Sequence, residues 1–74
     1  MNNKEKNNYV RKQILCTLLD MMSEQDFHSI PVSALTERAG VGRASFYRNF
    51  TSKEDVLRQK ADQLMQEWEK EWGQ

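Results

Sequence analysis

Residues 40–50 read GVGRASFYRNF, a glycine on each side of Val41 and an aromatic–basic cluster behind them. The preceding stretch is PVSALTERA, residues 31–39. Pro31 suits the opening of a helix, where its missing N–H costs nothing. Val32, Leu35 and Ala39 then recur at helical spacing, with Glu37 and Arg38 outside. Gly40 stops that helix as a left-handed C-terminal cap would. Val41 is apolar and can tuck back into a core, and Gly42 stands where the next helix needs a cap. A short helix over Arg43 to Asn49 follows. Two helices joined by a glycine-containing turn of about three residues make a helix-turn-helix.

The flanking segments complete a small helical fold. A first helix is predicted from about Lys4 to Ser23. Its apolar residues Val10, Ile14, Leu18 and Met22 repeat every four positions, with Leu15 and Leu19 beside them. Gln25 to Ile30 reads as a connection from which Phe27 and Ile30 plug the core. A fourth helix starts within TSKEDVL, residues 51–57, where Ser52 with Asp55, or Thr51 with Glu54, can form a capping box. It runs to about Trp72 behind an apolar stripe of Val56, Leu57, Ala61, Leu64, Met65, Trp68 and Trp72. The expected fold is all-α: a three-helix, homeodomain-like bundle with the helix-turn-helix at about 31–50, plus a long fourth helix. Residues 1–7 are expected to be a flexible tail, 8–68 the domain, and 69–74 the end of the fourth helix.

Composition narrows the function. A chain of 74 residues has room for one small domain. Cys16 is the one cysteine, which rules out a disulfide framework and a cysteine-based metal site. His28 has no second histidine or nearby cysteine and reads as a solvated side chain. No apolar run approaches the ~18 residues of a membrane span, and MNNKEKNNYV lacks the apolar core of a secretory signal, so a cytoplasmic location is expected. The chain carries no GxGxxG, P-loop or HExxH pattern, and little room for a closed pocket. Glu67 and Glu71 read as a solvated face and not as an acid/base pair. Neither an enzyme nor a cofactor is expected.

Net charge is zero, but charge is not evenly spread. Residues 1–53 carry Lys4, Lys6, Arg11, Lys12, Arg38, Arg43, Arg48 and Lys53 against Glu5, Asp20, Glu24, Asp26 and Glu37, an excess of three positive charges. The remainder carries the opposite excess. Arg43, Arg48 and Lys53 fall within eleven residues that contain no acid. Local charge, not net charge, meets phosphate.

The face shown by the third helix follows from its period of about 100° per residue. With Phe46 at zero, Phe50 falls on the same side, and that is the core. Ala44, Ser45, Tyr47 and Arg48 point away from it or flank it, with Arg43 and Asn49 toward the ends. Ala44 and Ser45 are small enough for close approach to a groove, where alanine can touch a thymine methyl and serine can bond a base edge. Arg43 can grip a guanine or a phosphate, and Tyr47 can reach phosphate through its hydroxyl. Lys53 stands beside the N–H groups that open the fourth helix, which themselves attract phosphate.

At this point the sequence resembles the TetR family of bacterial transcriptional regulators. The likeness is carried by LTERAGVGRASFYRNFTSKEDVL, residues 35–57: the Ala39-Gly40-Val41 turn, Phe46-Tyr47 with Phe50, and Ser52-Lys53-Glu54. The resemblance implies base-edge contacts from Ser33, Arg43, Ala44 and Ser45. It implies phosphate contacts from the Val32 backbone, Tyr47, Asn49 and Lys53. It also implies a homodimeric parent on a palindromic operator of double-stranded DNA, acting as a repressor, and a C-terminal domain that holds a small-molecule inducer. Two positions depart from the family pattern. Pro31 stands where a hydroxyl residue often caps the second helix and touches phosphate. Gly42 replaces a common serine cap. An alternative function is a helical protein-interaction module of the same fold, docking through Trp68 and Trp72.

Overall fold

The computed structural model describes the backbone of residues 3–72 and the side chains of residues 5–69. Four helices follow in order: α1 (Asn3–Met22), α2 (Val32–Ala39), α3 (Arg43–Asn49) and α4 (Lys53–Trp72). A single 3-10 turn, Phe27–Ser29, lies between α1 and α2. Of the expected tail at 1–7, residues 3–7 belong to α1, which starts one position before the helix predicted from about Lys4, and residues 1–2 lie outside the described residues. No strand occurs among the described residues.

The core is one cluster contributed by every helix. Val10, Ile14, Leu18 and Met21 come from α1, Leu35 and Ala39 from α2, Phe46 from α3 and Val56 from α4, with Ile30 and Phe50 from the connections. Met21, not Met22, is the buried methionine, and Met22 is exposed. The reason is geometric: a strict four-residue step drifts about 40° per repeat, and only the three-residue step to position 21 brings the stripe back into line. Ile30 is fully buried and Phe27 packs half-buried against the cluster, so both plug the core as their spacing suggested.

The connections obey local rules. Gly40 adopts φ 73°, the left-handed region. Its N–H reaches the Glu37 carbonyl at 3.2 Å, and the Val41 N–H reaches Thr36 at 3.0 Å. That pair of bonds is a Schellman ending, and Val41 packs against the core as its apolar partner. Pro31 has an extended ψ of 151° and is the N-cap of α2, one position ahead of the first helical residue. Asp26 caps the 3-10 turn by accepting from the His28 N–H at 3.1 Å. Arg38 of α2 reaches back to Glu24, just beyond α1, at 3.0 Å. That hydrogen bond holds the Glu24 carboxyl below the usual carboxylate range.

Helix α4 starts on a capping arrangement around Ser52 and Asp55. The Asp55 N–H donates to Ser52 Oγ at 3.2 Å. The Asp55 carboxylate accepts in return from the Thr51 N–H at 2.9 Å, one residue ahead of the usual reciprocal donor. Beyond Leu57, which packs against the core, the apolar stripe points outward. Leu57 is half-buried, and Ala61, Leu64, Met65 and Trp68 are exposed. With Val56 at zero, the last four lie between about 80° and 180° around the helix. Alpha-helix α4 faces α1 instead with Gln59, Lys60 and Gln63, which with Arg11 and Leu15 line an open cleft of about 840 Å³. The side chain of Trp72 lies outside the described residues.

Candidate nucleic-acid interface

Helix α3 is held from beneath by aromatic packing. Phe46 is fully buried and Phe50 nearly so, their ring centroids 5.6 Å apart. Tyr47 stands edge-on to Phe46 at 5.0 Å and is 55% exposed. The neighbouring ring therefore fixes the direction of the tyrosine while leaving it accessible. Arg43, Ala44 and Arg48 are exposed, so the outer face runs from small residues to basic and phenolic ones without a carboxylate.

The start of α3 and the start of α2 share one property. Gly42 caps α3 with no side-chain bond, and Pro31 caps α2 with none. The first intrahelical bonds are Phe46 N–H to the Gly42 carbonyl and Leu35 N–H to the Pro31 carbonyl, both at 3.1 Å. The N–H groups of Val32 and Ser33, and of Arg43 and Ala44, precede those bonds and carry the partial positive charge of a helix start.

A sequence model of bacterial regulatory proteins of the tetR family matches residues 14–59. The chain belongs to the TetR family. The match runs from the middle of α1 through the helix-turn-helix into the second turn of α4, and so spans the whole α2–α3 pair. TetR-family proteins are DNA-binding transcription regulators. No curated protein and no solved structure matches the chain.

Within this TetR-family fold the residues singled out from sequence divide by what holds them. Ser33, Arg43, Ala44 and Tyr47 are exposed along α2 and α3, and Val32 is half-buried against the core. Ser45 is half-buried beside Tyr9, Lys6 and the Gly40–Gly42 turn, at the flank of the exposed face. Asn49 is half-buried, and its side-chain amide donates back to the Ser45 carbonyl at 2.9 Å. Lys53 is the most engaged. Its ammonium donates to the Phe27 carbonyl at 2.7 Å and the Ile30 carbonyl at 2.8 Å, and lies 4.7 Å from the centre of the Phe27 ring. Two of its three hydrogens are therefore committed within the fold.

Gln59 escaped the sequence analysis altogether. Its amide donates to the Asn49 carbonyl and to Asp55, both at 3.1 Å, and its oxygen accepts from Arg11 at 2.7 Å. One side chain thus joins α1, the end of α3 and the start of α4. Nothing in the spacing of residues marks a lone glutamine for this, because the partners lie up to 48 positions away. Asp55 belongs to the same network. It is buried, and the Arg58 guanidinium and the Thr51 N–H hold its carboxyl below the usual range. Lys6 and Tyr9 are likewise absent from the sequence-derived set, and α1 carries them to the edge of the turn.

Proposed function

We propose that this domain binds double-stranded DNA in a sequence-specific way, with α3 as the recognition helix in the major groove. The observation that carries the proposal is the α3 face itself: Arg43, Ala44, Tyr47 and Arg48 exposed together on a helix anchored by two buried phenylalanines, with no acid among them. Ala44 keeps the helix slim, so that Arg43 and Ser45 reach base edges. Ser33 adds a base-edge contact from α2. Tyr47, Asn49, Lys53 and the Val32 N–H hold the phosphates and set the register. For Lys53 this means its third ammonium hydrogen.

The parent acts as a homodimer on a palindromic operator, its two recognition helices spaced by a helical turn of DNA or more. Occupation of promoter DNA represses transcription, and an inducer bound by a C-terminal domain changes that spacing. Both steps rest on the family. A single domain meets one half-site through a handful of phosphates, so its own affinity is expected to be micromolar or weaker at physiological salt, on the order of non-specific binding.

The test is an NMR titration of the labelled chain with a short random duplex at two salt concentrations. Amide shifts at Val32, Ser33, Arg43 to Asn49 and Lys53 that weaken with salt support the reading. Silence at these positions at low salt, or shifts confined to the tail near Trp68, overturns it and leaves protein docking as the function.

A further inference from the structure

The two flanks of α3 are unequally supplied with groups for phosphate. Tyr47 and Ser45 stand about 160° apart around the helix, with Ala44 and Arg48 between them. A helix seated in a major groove about 12 Å wide lies between two phosphate strands, one beside each flank. Tyr47 serves the first of them. On the second flank the Asn49 amide is turned back on the Ser45 carbonyl.

Helix α1 reaches that second flank. Lys6 and Tyr9 are three positions apart and so share a face. They line a recess of about 380 Å³ whose opposite wall is the Gly40–Gly42 turn and Ser45. No carboxylate lines it. Lys6 is exposed and Tyr9 is 54% exposed. Among the described residues, no hydrogen bond or ion pair engages the Lys6 ammonium or the Tyr9 hydroxyl. Lys6 thus offers three ammonium hydrogens, where Lys53 has one left after its two carbonyls. Gly40 and Gly42 put no side chain in the way, and the space at both Cβ positions is open, so a strand can come close to the turn.

We propose that Lys6 and Tyr9 form a second phosphate-binding element, which holds a phosphodiester of the DNA strand bordering the Ser45 flank of α3. Lys6 supplies the charge and Tyr9 a neutral hydroxyl donor. With Tyr47 on one strand and this pair on the other, α3 is fixed across the groove as well as along it. The inference rests on the DNA reading of α3 and adds residues of another helix to it.

Affinity for a short random duplex, measured by fluorescence anisotropy over a range of salt concentrations, tests it. Lys6→Met keeps the aliphatic stem and is expected to reduce the slope of log K against log salt by about one. Tyr9→Phe is expected to weaken binding about fivefold at every salt concentration, with the slope unchanged. Lys12→Met is the control: Lys12 is on the same helix but lines the α1–α4 cleft, and its slope is expected to match the wild type. All three exchanged side chains are exposed, so helicity and melting temperature should stay at wild-type values. A wild-type slope for Lys6→Met with wild-type affinity for Tyr9→Phe overturns the proposal. So does an equal loss of slope in Lys6→Met and Lys12→Met, which would mean diffuse charge and no site. Tyr47→Phe, measured alongside, separates this inference from the reading beneath it. If Tyr47→Phe weakens binding and the α1 variants do not, the α1 contact alone falls. If the wild type fails to bind the duplex at low salt, the DNA reading falls and the contact falls with it.

Discussion

Lys53 Nζ donates to the Ile30 carbonyl at 2.8 Å, across 23 positions of chain, and so ties the start of α4 to the residue that leads into α2. The same ammonium holds the Phe27 carbonyl. A residue expected at the phosphate backbone is thus also a clamp on the loop that sets the position of α2. Charged hydrogen bonds of this kind contribute more than neutral ones. Lys53→Met keeps the aliphatic stem and removes the donors. It is expected to lower stability by about 1–2 kcal/mol in urea denaturation and to reduce the salt slope of DNA binding by about one. An unchanged urea midpoint would reduce the clamp to a geometric coincidence.

The two glycines of the turn carry opposite expectations. Gly40 is at φ 73° with nothing within 4 Å of the position a Cβ would occupy. A side chain there meets no clash, only backbone strain, so Gly40→Ala is expected to cost about 1–2 kcal/mol. Gly42 is equally open but has φ −78° and ψ 155°, the ordinary N-cap conformation. Gly42→Ser is expected to gain a few tenths of a kcal/mol by bonding a free N–H at the start of α3. Thermal melts of the two variants, moving in opposite directions, check both signs.

The turn was legible because its chemistry is local. Gly40 takes the left-handed cap and Val41 tucks back on the core, as their types favour, and α3 begins and ends where its aromatic spacing indicates. The anchoring of α3 was legible for the same reason: Phe46 and Phe50 share a face whatever surrounds them. The stripe of α4 was not. Seven apolar residues at helical spacing mark one stripe, yet of those whose side chains are described Val56 is buried, Leu57 packs half-buried against the core and the other four are exposed. Periodicity tells which residues share a side of a helix and cannot tell whether another helix covers that side. Lys53 and Gln59 failed differently: their partners are backbone carbonyls and side chains distant in sequence, and a carbonyl leaves no trace in residue type.

The Asp55 network predicts a pH dependence. Its carboxyl is depressed in the folded chain, first by the hydrogen bond from Arg58 and then by the Thr51 N–H. A depressed folded value stabilises the fold at pH above the unfolded carboxylate value of about 4 and loses that effect as pH falls through the folded value. Asp55→Asn removes the charge and keeps one acceptor oxygen. The difference in urea midpoint between wild type and variant is expected to be full at pH 6 and to shrink below about pH 4. A difference that stays constant down to pH 2 would mean that the charge contributes nothing and the hydrogen bonds everything. Ser52→Ala, which removes the other half of the cap, is expected to cost about 1 kcal/mol at every pH.

The α3 face predicts a separation between folding and DNA binding within five consecutive residues. Arg43 and Tyr47 are exposed, whereas Phe46 is fully buried between them. Arg43→Ala is expected to leave the melting temperature nearly unchanged, since exposed sites away from caps and cores move stability by less than about 0.5 kcal/mol. On an operator its loss would cost about 1–3 kcal/mol and relax the choice of base at one position. Tyr47→Phe removes only a hydroxyl and keeps the ring against Phe46, so it should weaken every duplex by a similar factor without changing preference. Phe46→Ala belongs to another class. The loss of a buried phenylalanine costs about 3–5 kcal/mol, close to all that a core of this size supplies, and the chain should unfold. The comparison is decisive because the helix is shared. If Arg43→Ala and Tyr47→Phe bind DNA like the wild type while remaining folded, α3 is not the reading element, however well its face is shaped for the groove.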